Sequence, residues 1–244
     1  MTDDPFPENL ARLHEGEELL RAKAIKALKD ERLRLHLEMI EQAMNMADGL
    51  RRFETADEDL KLIQVLGMRT FNAFGASVKL CLSGYYQNAA LILRDVLETT
   101  FLIDLFRGDR TLIAKWRMAD KAARLKDFKP VRVRTLLDER DGFTERKRAA
   151  MYDLFSELAG HATMQSVAML RPKGMDAQIG PFFDITALEA VMSEMGRLAV
   201  QVGEQLDAFI PDPKGKALVM RNGFGATKSR WIARFYDGQA ASTD

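Results

Sequence analysis

Residues 85–106 read YYQNAALILRDVLETTFLIDLF. A helix drawn through them is apolar on nearly every side, with Ala89, Leu93, Val96, Leu97, Phe101, Ile103 and Phe106 spread around its circumference. A helix that is apolar all round belongs at the centre of its domain. This segment is therefore the expected core of the fold. Gly84, just before it, ends the preceding helix, because glycine takes the left-handed conformation without steric cost.

Outward from this segment the chain keeps a helical rhythm. Thr55-Ala56-Asp57-Glu58 reads as a capping box, and the helix it opens carries Leu60, Ile63, Leu66, Phe71, Phe74, Val78 and Leu82. Upstream, Leu10, Leu13, Leu20, Ala24 and Leu28 recur at helical spacing, as do Leu33, Leu37, Ile40, Met44 and Ala47. Proline is absent from residues 8–129, and Pro130 then breaks the pattern. Val131-Arg132-Val133-Arg134 alternates and is the best strand candidate. Residues 144–159 read as a helix, and residues 171–181, with Pro172, Gly174, Gly180 and Pro181, as a loop. Thr186-Ala187-Leu188-Glu189 is a second capping box, opening a helix with Val191, Met195, Leu198, Val202 and Phe209 on one face. The expectation is an all-α chain: a single helical bundle over residues 55–210, an N-terminal helical arm over 1–54, and a basic aromatic C-terminal tail over 211–244. Its core helices would cover residues 57–83, 85–106, 145–160 and 187–209.

The chain has 244 residues, 47% of them hydrophobic and 30% charged, enough to bury one sizeable core. Its 36 basic and 36 acidic side chains cancel, so no whole-chain field favours nucleic acid or membrane. A lone cysteine, Cys81, excludes an internal disulfide framework and fits a reducing, cytoplasmic setting. The opening MTDDPFPEN is acidic where a signal peptide would be basic, and no apolar run is long enough to span a bilayer. Zinc sets, paired Glu-x-x-His motifs, a Walker loop and G-x-S-x-G are all missing, so no cofactor or metal is expected.

Charge is patterned locally. Between Lys214 and Tyr236 the tail has six cations and no acid, interleaved with Phe224, Trp231, Phe235 and Tyr236. Such a segment can dock on an acidic surface of its own domain or of a second subunit. It can also hold RNA, with Lys228, Arg230 and Arg234 on phosphates and Trp231 and Tyr236 stacked on bases. Whether it forms a helix or a hairpin about Asn222-Gly223 is open. The acidic N-terminal arm and this tail together suggest a homo-oligomer, most simply a dimer.

Arg94, Asp95 and Glu98 sit inside the most apolar helix. Arg94 and Glu98 share a face, and Asp95 lies about 100° away. Buried charge is costly without a partner, so these residues either tie neighbouring helices together or line a polar pocket for a phosphate or carboxylate. His161, at a helix end one turn after Glu157, is the histidine best placed for proton transfer, with Glu157 to fix its tautomer. His14 and His36 fall among charged residues and are expected in solvent.

The run from Tyr85 to Glu98, aromatic and small residues leading to Arg94-x-x-x-Glu98, followed later by Leu158-Ala159-Gly160-His161, resembles uncharacterised bacterial helical proteins related to the HEPN superfamily. The resemblance covers about residues 60–170. It implies a helical bundle, commonly dimeric, and an RNA- or phosphate-ligand-binding role in a toxin or defence system. The family's ribonuclease signature, an arginine, four to six intervening residues and then a histidine, has no counterpart here: Arg148 precedes His161 by thirteen positions, and only three residues separate Arg32 from His36. Two functions stand open: binding through Arg94, Glu98 and His161 in one pocket, or a non-catalytic interaction protein whose polar core residues only specify packing.

Overall fold

The computed structural model describes residues 6–211 and 214–237. All regular structure among them is helical. In order come α1 (Glu8–Ala27), α2 (Glu31–Arg51), α3 (Glu58–Leu82), α4 (Tyr86–Gly108), α5 (Thr111–Met118), α6 (Lys121–Asp127), α7 (Pro130–Asp141), α8 (Lys147–Phe155), α9 (Met164–Ala168), α10 (Ile185–Asp207) and α11 (Lys216–Ile232). A π-helical turn, Ser156–Gly160, extends α8, and another, Ala233–Asp237, extends α11. No described helix is long and apolar enough to cross a membrane.

The core is a bundle of α2, α3, α4 and α10, with α4 also covered by α7, α8 and the first π turn. Leu93, Val96, Leu97, Ile103 and Phe106 of α4 are fully buried, as its all-round apolar pattern requires. The fourth core helix is α2, not the segment 145–160. Met39, Ile40, Ala43, Met46, Ala47 and Leu50 of α2 are buried, whereas α1 buries only Ala24. So the part of residues 1–54 that stands as an arm is α1.

Several local expectations shift, each for a local reason. The cap of α3 is Asp57, whose carboxylate accepts from Asp59 N at 2.9 Å, while Thr55 Oγ1 accepts from Asp57 N at 3.0 Å. Likewise α10 starts at Asp184, which accepts from Thr186 N at 2.8 Å and Ala187 N at 3.0 Å. In both places a nearby aspartate, among the best N-caps, displaces the threonine. The strand candidate is helical: Pro130 occupies the first turn of α7, where its missing N–H costs nothing. Gly84 has φ +88° and its carbonyl oxygen accepts from Phe182 N at 3.3 Å, so the α3–α4 turn needs glycine for its backbone.

The tail is a helix lying along α2 and α10. Phe224 and Trp231 are buried. A methyl group on Gly203 of α10 would sit 2.0 Å from the Phe224 ring, so glycine lets α11 seat closely. Trp231 Nε1 donates to His36 Nδ1 at 2.9 Å, and the Phe235 ring stacks on His36 at 4.1 Å. His36 is therefore a core residue and not a solvated one. The tail's cations meet acids of the same chain: Arg221 with Asp207 at 2.7 Å, Lys228 with Glu204 at 3.1 Å, and Arg230 with Glu38. Of these pairs only Arg230–Glu38 joins the tail to the acidic N-terminal residues; Asp207 and Glu204 lie on α10.

Burial, reinforced by Arg32 and Arg197, pulls the His36 pKa from 6.5 down to about 4. The unfolded chain takes up a proton near pH 6.5, whereas the folded chain holds His36 neutral until about pH 4. Stability from this group is complete above pH 6.5 and is lost as pH falls through that window, by up to ~3 kcal/mol. Urea midpoints at pH 7 and pH 4.5 should show this loss, and His36→Gln should remove part of it. Equal pH dependence in both proteins would refute the assignment.

Candidate functional site

The solvent-reaching stripe of α4 is Leu91, Arg94, Asp95, Glu98 and Leu102, one helical line on an otherwise buried helix. It forms the floor of a groove between α3 on one side and α7 and α8 on the other. At one end Arg94 donates to the Tyr152 hydroxyl of α8, and its Cζ stands 4.6 Å from the Tyr152 ring centroid. Arg134 of α7 approaches the same ring, with Cζ 3.9 Å from the centroid. Two guanidinium groups thus share one phenol. The Arg94 guanidinium also lies on Gly160 of the π turn, where a methyl would meet Nη1 at 2.7 Å.

Charge in this cluster is unbalanced. Glu98 Oε1 is the nearest carboxylate to Arg94, at 3.5 Å from Nε, too long and poorly aligned for a good hydrogen bond. Arg94 Nε, Arg134 Nε and Arg134 Nη1 are buried without an acceptor. Arg134 itself is only 9% exposed, whereas the Arg94 side chain is 25% exposed. A cation–π contact compensates part of the desolvation of a guanidinium, but it gives the N–H groups no acceptor. The cluster has a surplus positive charge, unsatisfied donors, and one edge open to solvent.

One turn further along α4 the groove deepens into a cavity of about 240 Å³. Phe101, Leu102, Trp116, Phe128 and Val133 give it apolar walls, and Asp95 and Glu98 give it acceptors. Asp95 is engaged by Arg69 of α3. Glu98 belongs to both parts, lining the cavity and facing Arg94.

The ion network behind the groove sets its geometry. Asp104 of α4, 6% exposed, takes a bidentate contact from Arg140 at 3.2 Å on each oxygen. Arg107 lies at 3.3 Å and Arg148 at 3.8 Å. Arg148 also reaches Asp138 at 2.8 Å and pairs with Asp141. Hydrogen bonding to Arg140, only partly opposed by burial, and a second bond from Arg148 hold the Asp141 carboxyl down at about 2. These bonds pin α7 and α8 on α4, which fixes where Arg134 and Tyr152 stand.

Of the residues singled out in the sequence, Arg94, Glu98 and Asp95 meet in the groove. Glu157 and His161 do not join them by contact: both side chains are exposed and make no hydrogen bond or ion pair among the described residues. His161 follows Gly160, so it borders the Arg94 end, with its backbone N–H bonded to Ser156 O at 2.9 Å. In the tail, Trp231 is a core side chain and offers no face to a base. Lys228 and Arg230 are paired with acids, Arg234 is exposed, and Tyr236 is 47% exposed beside the Trp231 ring. Sequence reasoning missed Arg134 and Tyr152 as site residues. A helical reading of residues 130–141 would have found the first, because it puts Arg134 on the side of Val133 and Leu137, which are buried. Among the described residues no group of His, Cys, Asp and Glu is placed to hold a metal ion. Set against protein-family models, characterised proteins and solved structures, the chain has no significant match.

Proposed function

We propose that this protein binds a phosphate-bearing ligand between Arg94 and Arg134 on the rim of Tyr152. The observation that carries the reading is the set of three buried guanidinium nitrogens without an acceptor, on two arginines that share one ring. Leaving such donors unpaired costs stability, and an incoming oxyanion would satisfy them with short, charge-assisted bonds. Arg94, partly exposed, would meet the ligand first. Arg134, placed over the Tyr152 ring, would give the second fork. The reading accords with the phosphate-ligand role implied by the HEPN resemblance, and the groove itself assigns no reaction to His161 or Glu157.

Inorganic phosphate titrated into the full chain, followed by NMR or calorimetry, tests it. Arg94→Gln and Arg134→Met should each weaken binding by about tenfold or more. Arg134→Met should leave the melting temperature unchanged or raised, because it replaces an unsatisfied buried charge with an apolar group of similar length. If phosphate does not bind the wild type, or binds both variants equally, the reading fails. Should Arg94→Ala instead cost several kcal/mol with no ligand to lose, the cluster only specifies packing, and the interaction-protein reading takes its place.

A further inference from the structure

The anion end and the apolar cavity lie on one line of α4. Arg94 and Glu98 are separated by one turn, an axial rise of about 6 Å. That offset is on the scale of the distance between a nucleotide's 5′-phosphate and its base. The cavity at the Glu98 end, about 240 Å³, would hold roughly eight waters. A bicyclic base fits that space, and a large cofactor does not. Two of its walls are the aromatic rings Trp116 and Phe128, surfaces on which a base can stack.

Glu98 decides which base. An ionised carboxylate only accepts hydrogen bonds, and its two oxygens favour two donors side by side. Guanine offers N1–H and the 2-amino group next to each other. Adenine and cytosine each set one amino donor beside a ring acceptor, and uracil sets one N–H between two carbonyls. A carboxylate facing any of these three leaves an acceptor opposed to an acceptor, whereas guanine satisfies both oxygens. Asp95, the neighbouring carboxylate, is already held by Arg69, and Glu98 has only the long contact to Arg94.

We propose that the α4 groove binds a guanine nucleotide, with the phosphate on Arg94 and Arg134, the base against Trp116 and Phe128, and Glu98 accepting from the guanine edge. This inference rests on the anion-binding reading above and adds the ligand's identity to it. Binding would draw Glu98 toward the base and leave the Arg94 Nε–H free to turn to phosphate. The two halves of the site are thereby coupled through one carboxylate.

The test is a calorimetric titration of the full chain with inorganic phosphate, GMP, IMP and UMP in the same buffer. GMP should bind more tightly than phosphate or UMP, by about tenfold or more, since stacking and a bidentate edge contact together exceed that factor. IMP, which lacks only the 2-amino group, should fall about tenfold below GMP, and Glu98→Gln should bring the two together. A 5′-phosphorylated RNA oligomer beginning with guanosine separates the sources: tighter binding than GMP assigns an RNA end, equal or weaker binding a free nucleotide. Phosphate binding as tightly as GMP, or GMP matching UMP, overturns the guanine assignment while the anion site stands. Failure of all ligands overturns both.

Discussion

Replacing Asp104 with alanine is expected to lower stability by about 3–5 kcal/mol, the range seen when one partner of a buried ion pair is removed. Asp104 is the hub toward which Arg107, Arg140 and Arg148 converge. Without it, those guanidiniums face one another with only Asp138 and Asp141 to balance them. Arg140 loses its bidentate partner, and Arg148, with its side chain 13% exposed, has little water to replace the lost carboxylate. Asp104→Asn keeps the shape and removes the charge, so it should recover only a minor part of the loss. The measurement is the urea midpoint of both variants at neutral pH, with hydrogen exchange to locate the damage. Protection should fall first in α7 and α8, and phosphate binding should weaken with it, because Arg134 and Tyr152 ride on those helices. A shift below about 1 kcal/mol for Asp104→Ala would mean that the network is a solvated ornament.

Trp231→Ala should have a comparable effect, about 3–5 kcal/mol, the usual range for emptying a fully buried large aromatic site. Trp231 is 2% exposed and wedged between His36, Phe235 and Tyr236, with Gly196 of α10 beneath it. Its loss would open a cavity and strand His36 Nδ1. Trp231→Phe keeps most of the ring contact and removes the donor, so it should cost less, roughly 1–3 kcal/mol. Limited proteolysis provides an independent view: in the alanine variant α11 should become cleavable while the α2–α3–α4–α10 bundle resists. An alanine variant as stable as the wild type would show α11 to be an accessory helix. RNA binding that depends on base stacking at Trp231 is incompatible with the same burial.

The buried helix of residues 85–106 was legible because its composition leaves no polar face, and Arg94 and Glu98 were legible as a pair because four positions make one turn. His36 lay within reach of the same argument. It falls three residues after Leu33 and four before Ile40, on the stripe that α2 buries, but the surrounding charge suggested solvent. The Val-Arg-Val-Arg stretch failed because four alternating residues fit a strand and a helix equally well. Both capping boxes were displaced by an aspartate close by, a competition that a motif alone does not resolve.

What the chain settled locally is the helical class, the central helix, and the presence of charges that a core does not tolerate unpartnered. These follow from periodicity, which is read over a few turns. Which charges are satisfied was decided only by the fold. Tyr152 stands 58 positions from the Arg94 it meets, and Trp231 stands 195 positions from His36. Burial of a polar group depends on what packs above it, and packing partners at such separations leave no trace in a local pattern. The same distance explains why one tail of basic and aromatic residues, ambiguous as a sequence, is in the folded chain a helix that closes its own core.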